Sequence, residues 1–308
     1  MPEHESPGRG WIVLNTSNPK NRLFCFGLGY SMTRLAGVLI ADGWAVAGTC
    51  RSAETVSRLR ADGVDAHLFN GETGIDQIET VLAGATHLLG SIPPGENGDP
   101  VIGLHGSDIA ECKTVQWVGY LSTTGVYGDT GGAWVDETSS VAPTGERARH
   151  RVEAERQWLD LFADHKAAAQ VFRLAGIYGP GRNALDNVRK GAARRIIKPG
   201  HVFSRIHVDD IGAGLRASMA RPNPGAVYNV CDDKPAPGPE VTAFACKLLN
   251  IAPPPEISFE DADLSAMARS FYGDNRRVRN DRIRDELGVK LAFPDYQAGL
   301  RAILASEE

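Results

Sequence analysis

Lysine is scarce in this chain. Of its 33 Lys and Arg residues only 8 are Lys and 25 are Arg, and 38 Asp and Glu leave a formal charge of −5. No basic block interrupts the acidic balance, which argues against nucleic acid as a partner. Nothing approaches the run of roughly 18 apolar residues that a membrane helix needs, so no membrane partner is expected. Residues 1–20 lack the cationic start and long apolar run of a secretory signal and are expected to be a poorly ordered extension. The five cysteines, at 25, 50, 112, 231 and 246, fall in no metal-binding spacing. An odd, scattered set predicts free thiols in a reducing cytoplasm. No His-Glu-x-x-His pair is present, so no metal is expected. A Gly-x-Ser-x-Gly elbow for hydrolase chemistry is missing as well. At 308 residues, a soluble, globular chain with one large domain or a domain and a smaller lobe is expected.

What is present is alternation. Apolar β-type runs at Arg22–Gly27, Trp44–Thr49, Val64–Phe69, Thr86–Ile92, Val115–Ser122 and Ala169–Ala175 are separated by helical stretches at Met32–Asp42, Ala53–Asp62, Ile75–Ala83 and Glu146–Asp164. Short connections between alternating strands and helices predict a Rossmann-type doubly wound parallel α/β sheet. The expected strand order is 3-2-1-4-5-6. After about Gly179 the strands shorten and Pro and Gly become frequent. Residues 21–180 are therefore expected to form the dinucleotide-binding domain, and 181–308 a smaller C-terminal substrate lobe interleaved with it.

The first strand runs into the first helix through Gly27-Leu28-Gly29-Tyr30-Ser31. Glycines at this turn let the backbone approach a pyrophosphate, which sits on the positive helix N-terminus. At the end of the second strand an NAD site usually places an acid for the ribose hydroxyls. Here Arg51 and Ser52 stand instead, and the first acid is Glu54. A cation and a hydroxyl suit a 2′-phosphate, so NADP is expected, with NAD as the alternative. Asn70, Ser91 and Pro93, at the ends of the third and fourth strands, are expected to line the cofactor.

The segment Leu121-Ser122-Thr123-Thr124-Gly125-Val126-Tyr127-Gly128 resembles the Ser-Ser-x-x-Val-Tyr-Gly segment of the extended short-chain dehydrogenase/reductases, the family of NAD(P)-dependent epimerases and dehydratases. Arg173 to Gly181 and Arg205-Ile-His207-Val-Asp209-Asp210 resemble that family's later segments, in the same order. The resemblance implies a small polar or sugar-like substrate, a homodimer, and a Ser/Thr–Tyr–Lys catalytic group with the last two spaced Tyr-x-x-x-Lys. Thr123 matches the Ser/Thr position. The Tyr-x-x-x-Lys is absent: matching Glu155 to the family's helix glutamate puts Arg147 at the tyrosine position and Arg151 at the lysine position.

None of the seven tyrosines has a lysine four residues on. Arg151 supplies a cation for a ribose but deprotonates too rarely to serve as a base. Tyr127 is the expected proton donor, its alternative being an aromatic packed over the pocket. Tyr178 and Arg205 are expected to face the substrate, Arg205 toward an anionic group. Two functions follow. One is an atypical oxidoreductase or epimerase of this family. The other is a catalytically degenerate NADP-binding sensor or scaffold.

Overall fold

The computed structural model describes residues 21–165 and 167–307; the expected extension, 1–20, lies outside them. Seven strands form the central sheet: β1 Arg22–Phe26, β2 Ala45–Cys50, β3 Asp65–Leu68, β4 His87–Gly90, β5 Trp117–Thr123, β6 Ala168–Leu174 and β7 Val227–Val230. All neighbours are parallel, in the order 3-2-1-4-5-6-7. The expected order is present and extended by β7.

Successive residues of a strand face opposite sides of a sheet, and both sides of β1 are covered. Leu23 and Cys25 pack with Leu35 and Leu39 of α1 (Tyr30–Ala41), and on the same side lie Ile211 and Leu215. Phe24 and Phe26 face the other layer, with Ile109 and Trp158. The helices between the strands are α2 (Ala53–Ala61), α3 (Ile78–Leu82), α4 (Pro100–Ala110) and α5 (Glu146–Leu161). Strands buried on both faces explain the near-continuous apolar runs in the sequence. Trp117 Nε1 donates to Ser218 Oγ at 2.9 Å, and that hydroxyl donates to Gln170 Oε1 at 2.8 Å.

The chain beyond residue 180 contributes to one layer of the central sheet and to a core of its own. Helix α6 (Ala184–Arg189) packs in a separate core with Val241, Ala245, Tyr296 and Leu300. Helix α7 (Val208–Ala220) and β7 instead return to the central sheet. Two short parallel ribbons bind the parts together. Gly176–Tyr178 pairs with Arg205–His207, and Trp134–Val135 pairs with Arg277–Val278. Among the described residues the five cysteines are free, and no helix is long and apolar enough to cross a membrane.

Candidate functional site

The strand order reverses between β1 and β4, and ligands of such sheets bind beyond the strand ends at that point. A cleft of about 1180 Å³ opens there. Its wall includes Gly29, Tyr30 and Ser31 from the glycine turn, Ser91 and Pro93 after β4, and Thr123 at the end of β5. It also includes Arg147 and Arg151 of α5, and Tyr178 and Arg205 of the ribbon.

The turn is built for close approach. Gly27 has φ +102°, and a Cβ there would stand 2.9 Å from Ile92 Cγ1. Its N–H donates to the Thr49 hydroxyl at 2.9 Å, and its carbonyl accepts from Ser91 Oγ at 3.0 Å. Leu28 is buried beneath the turn and fixes it to the core. Gly29 opens α1 with no side chain capping it, and a Cβ on Gly29 would meet nothing within 4 Å. By contrast Ser52 caps α2 and Asp99 caps α4. The first N–H groups of α1 thus face open space, where an anion satisfies them. The residues present fit a dinucleotide pyrophosphate.

Arg51, Ser52 and Asn70 lie outside the cleft wall. Arg51 is exposed at the end of β2. The Ser52 hydroxyl accepts from Thr55 N at 3.2 Å and donates to Thr55 Oγ1 at 2.8 Å, so it is engaged as a helix cap. Asn70 is exposed and closes a turn with Glu72.

At the far end of the cleft, Thr123 Oγ1 accepts from Gly125 N at 3.0 Å. Arg151 Nη1 donates to Leu121 O at 2.6 Å and to Tyr120 OH at 2.9 Å. Tyr127 stands apart from them. It is 1% exposed, its hydroxyl donates to Asn229 Oδ1 at 2.8 Å, and it accepts from Arg173 Nη1 at 3.0 Å. Burial raises its phenol pKa, with Arg173 opposing. The structure thus brings Thr123 and Arg151 into one cleft and places Tyr127 behind its wall.

Tyr178 donates to Asp295 O at 3.3 Å and meets the His207 ring edge-on. Burial raises its pKa, and Asp232 and Asp210 add to the effect. Arg205 Nη1 donates to the carbonyls of Phe203 and Ala236 at 2.8 and 2.9 Å. Burial lowers its pKa, which leaves an arginine charged at neutral pH. Behind it lies Asp232, 1% exposed, whose Oδ2 lacks a hydrogen-bond partner among the described residues. Burial pushes that carboxyl up to about 8.

Two further cations line the cleft that sequence reasoning did not single out, Arg182 and Arg276. Arg182 stacks over the Tyr30 ring, 5.8 Å from its centroid. It directly follows the Gly-Pro-Gly turn, and that position was the available signal. Arg276 had none, because a distant strand pairing delivers it. Among the described residues no group of three or more His, Cys, Asp or Glu side chains is placed to hold a metal.

A conserved protein of unknown function from Silicibacter pomeroyi has a solved structure 51% identical to this chain, with a TM-score of 0.86. The match covers 93% of this chain and 99% of that one. This chain belongs to the same family. Protein YeeZ of Escherichia coli (strain K12) is 27% identical over 282 residues, covering 87% of this chain and 95% of YeeZ. No protein-family model matches the chain. The dTDP-glucose 4,6-dehydratase of Bacillus anthracis, solved in complex with NAD, is 15% identical with a TM-score of 0.73 over 92% of this chain and 95% of that one. That likeness is one of fold: a Rossmann-like parallel sheet with flanking helices.

Proposed function

We propose that this protein is an NAD(P)-binding oxidoreductase or epimerase-like enzyme acting on a small polar or sugar-like substrate, with Thr123 and Arg151 in place of the usual Tyr-x-x-x-Lys machinery. The observation that carries it is the joint presence, in one cleft, of an uncapped α1 behind the Gly27–Gly29 turn and of Thr123 and Arg151 at the opposite end. A nicotinamide cofactor bound there supplies hydride transfer. Gly29, Tyr30 and Ser31 offer backbone N–H groups to its pyrophosphate, with Ser91 and Pro93 flanking its middle. Exposed Arg51 favours NADP over NAD.

Thr123 holds the reacting oxygen of the substrate. Its Oγ1 accepts from Gly125 N, so its own proton remains to be donated into the cleft. Arg151 fixes a ribose hydroxyl and contributes positive charge where an alkoxide develops. Because arginine is a poor general base, a water on Thr123 relays the proton between the reacting oxygen and solvent, toward solvent in alcohol oxidation and from solvent in carbonyl reduction. Tyr178 and Arg205 face the substrate, Arg205 toward an anionic group.

A second reading is a dinucleotide-binding sensor or scaffold without catalysis. The burial of Tyr127 behind the wall favours it. Turnover separates the two. The protein saturated with NADPH is screened against carbonyl compounds by loss of 340 nm absorbance, alongside Thr123→Ala. Turnover that falls in Thr123→Ala supports the enzyme. Tight cofactor binding with no oxidation of any acceptor supports the sensor.

A further inference from the structure

We propose that the Thr123 end of the cleft is an anion subsite, in which Arg276 and Arg147 hold a carboxylate or phosphate group of the substrate; the proposal rests on the dinucleotide reading above. Charge is the first ground. The chain as a whole carries −5, yet the charged residues of the cleft wall are Arg147, Arg151, Arg182, Arg205, Arg276 and Asp274. Five cations less one acid give +4 on the cleft wall of a chain that is acidic as a whole. A dinucleotide pyrophosphate would bring two negative charges to the α1 end, where Arg182 stacks over Tyr30. The surplus is at the other end.

Geometry is the second ground. Arg276 belongs to the C-terminal lobe, and the ribbon of Arg277–Val278 with Trp134–Val135 carries it across to the turn after β5. Its Nη1 donates to Gly128 O at 2.8 Å and to Asp274 Oδ2 at 3.1 Å. The other Asp274 oxygen accepts from Thr144 Oγ1 at 2.7 Å. One edge of the guanidinium is thus clamped, while Nη2 has no hydrogen-bond partner among the described residues, and the residue lines the cleft. The point where a Cβ on Gly125 would stand is 3.8 Å from Arg276 Nη2 and 3.3 Å from Thr123 Oγ1. Arg276 Nη2 therefore lies within about 7 Å of the hydroxyl that binds the reacting oxygen, a span that one carboxylate or phosphate group bridges. Arg147, exposed on the facing helix, also lacks a partner among the described residues. Anchoring the loop uses Nη1 alone. A clamped fork with an open edge is the geometry that takes a planar carboxylate or a phosphate.

The test is calorimetric titration of the full chain, saturated with NADPH, with malonate and separately with inorganic phosphate. Saturable binding is expected, weakening about tenfold or more in Arg276→Gln, the size of one lost hydrogen bond to a charged group. Arg147→Gln is expected to weaken it less, and Arg149→Gln, outside the cleft wall, to leave it unchanged. Tighter malonate assigns a carboxylate, and tighter phosphate a phosphate. Equal affinity in folded Arg276→Gln, or no saturable binding of either anion, overturns the subsite. If Arg276→Gln does not fold, Arg147→Gln decides: a loss supports the subsite and unchanged affinity refutes it. Failure of the chain to bind either dinucleotide sinks the reading above instead, and the same titrations on the cofactor-free chain still decide the subsite.

Discussion

Glu155 on α5 and Arg173 on β6 form a buried two-point ion pair, each side chain 7% exposed, with Nη2 to Oε2 at 2.7 Å and Nε to Oε1 at 3.1 Å. Ser122 Oγ donates to the same carboxylate at 2.5 Å, and Arg173 also donates to Tyr127. The pair therefore holds both ends of the turn that carries Thr123. Losing one member strands the other charge in the interior. Glu155→Gln is expected to lower the unfolding free energy by about 3 kcal/mol, read by urea denaturation. Unchanged stability would contradict the assignment.

Tyr127 is bonded on both sides inside that network, so its hydroxyl is structural in this account. Tyr127→Phe leaves Asn229 and Arg173 each short of a partner, at a cost of about 1–3 kcal/mol. Dinucleotide affinity and any turnover are expected to persist below the melting temperature. A stable but inactive variant would restore Tyr127 as the proton donor.

Arg51 stands where an acid would favour NAD. Arg51→Asp is expected to move the ratio of NADPH to NADH dissociation constants toward NADH by about tenfold, the order of one charge-assisted contact. A ratio that does not move removes Arg51 from the cofactor site.

Asp232 gives a pH signature of definite sign. Its pKa is raised by burial from an ordinary 3.8 to about 8, so the folded chain keeps a proton that the unfolded chain releases. Stability from this group is fully present below about pH 4 and is lost as pH rises toward 8. Asp232→Asn is expected to flatten the fall in melting temperature between pH 5 and 8. Parallel curves for the two proteins would show that Asp232 is ionised throughout.

Local features of the sequence carried most of the sheet. Strands β1 to β6 were legible because burial on both faces makes them apolar runs, and β1 feeds α1 through glycines that leave a visible mark. Boundaries moved by a residue or two: α1 begins at Tyr30 rather than Met32, since no capping side chain announces its start. Helix α4 is not among the helical stretches expected from the sequence, although Asp99-Pro100 is a strong start signal, with Asp99 Oδ1 accepting from Val101 and Ile102. Gly103 and Gly106, with His105 in the buried stripe of Val101, His105 and Ile109, dilute its apolar pattern. Strand β7 is four residues within a Pro- and Gly-rich stretch.

The site was legible only in part, for a different reason. Tyr127 reads alike as a pocket residue or a packed one, because what buries it, Arg173 and Asn229, comes from strands 46 and 102 residues away. Arg276 has no local mark at all. Its place in the cleft wall depends on a two-residue ribbon formed between distant segments.

The central claim is that the cleft behind the Gly27–Gly29 turn binds a nicotinamide dinucleotide. Titration of the full chain with NADPH and with NADH, followed by the fluorescence of the bound nicotinamide, tests it directly. The account predicts saturable binding, tighter for NADPH, that is lost in Gly27→Val, where a side chain would meet Ile92 at positive φ. No binding of either dinucleotide, or equal binding in Gly27→Val, would contradict it.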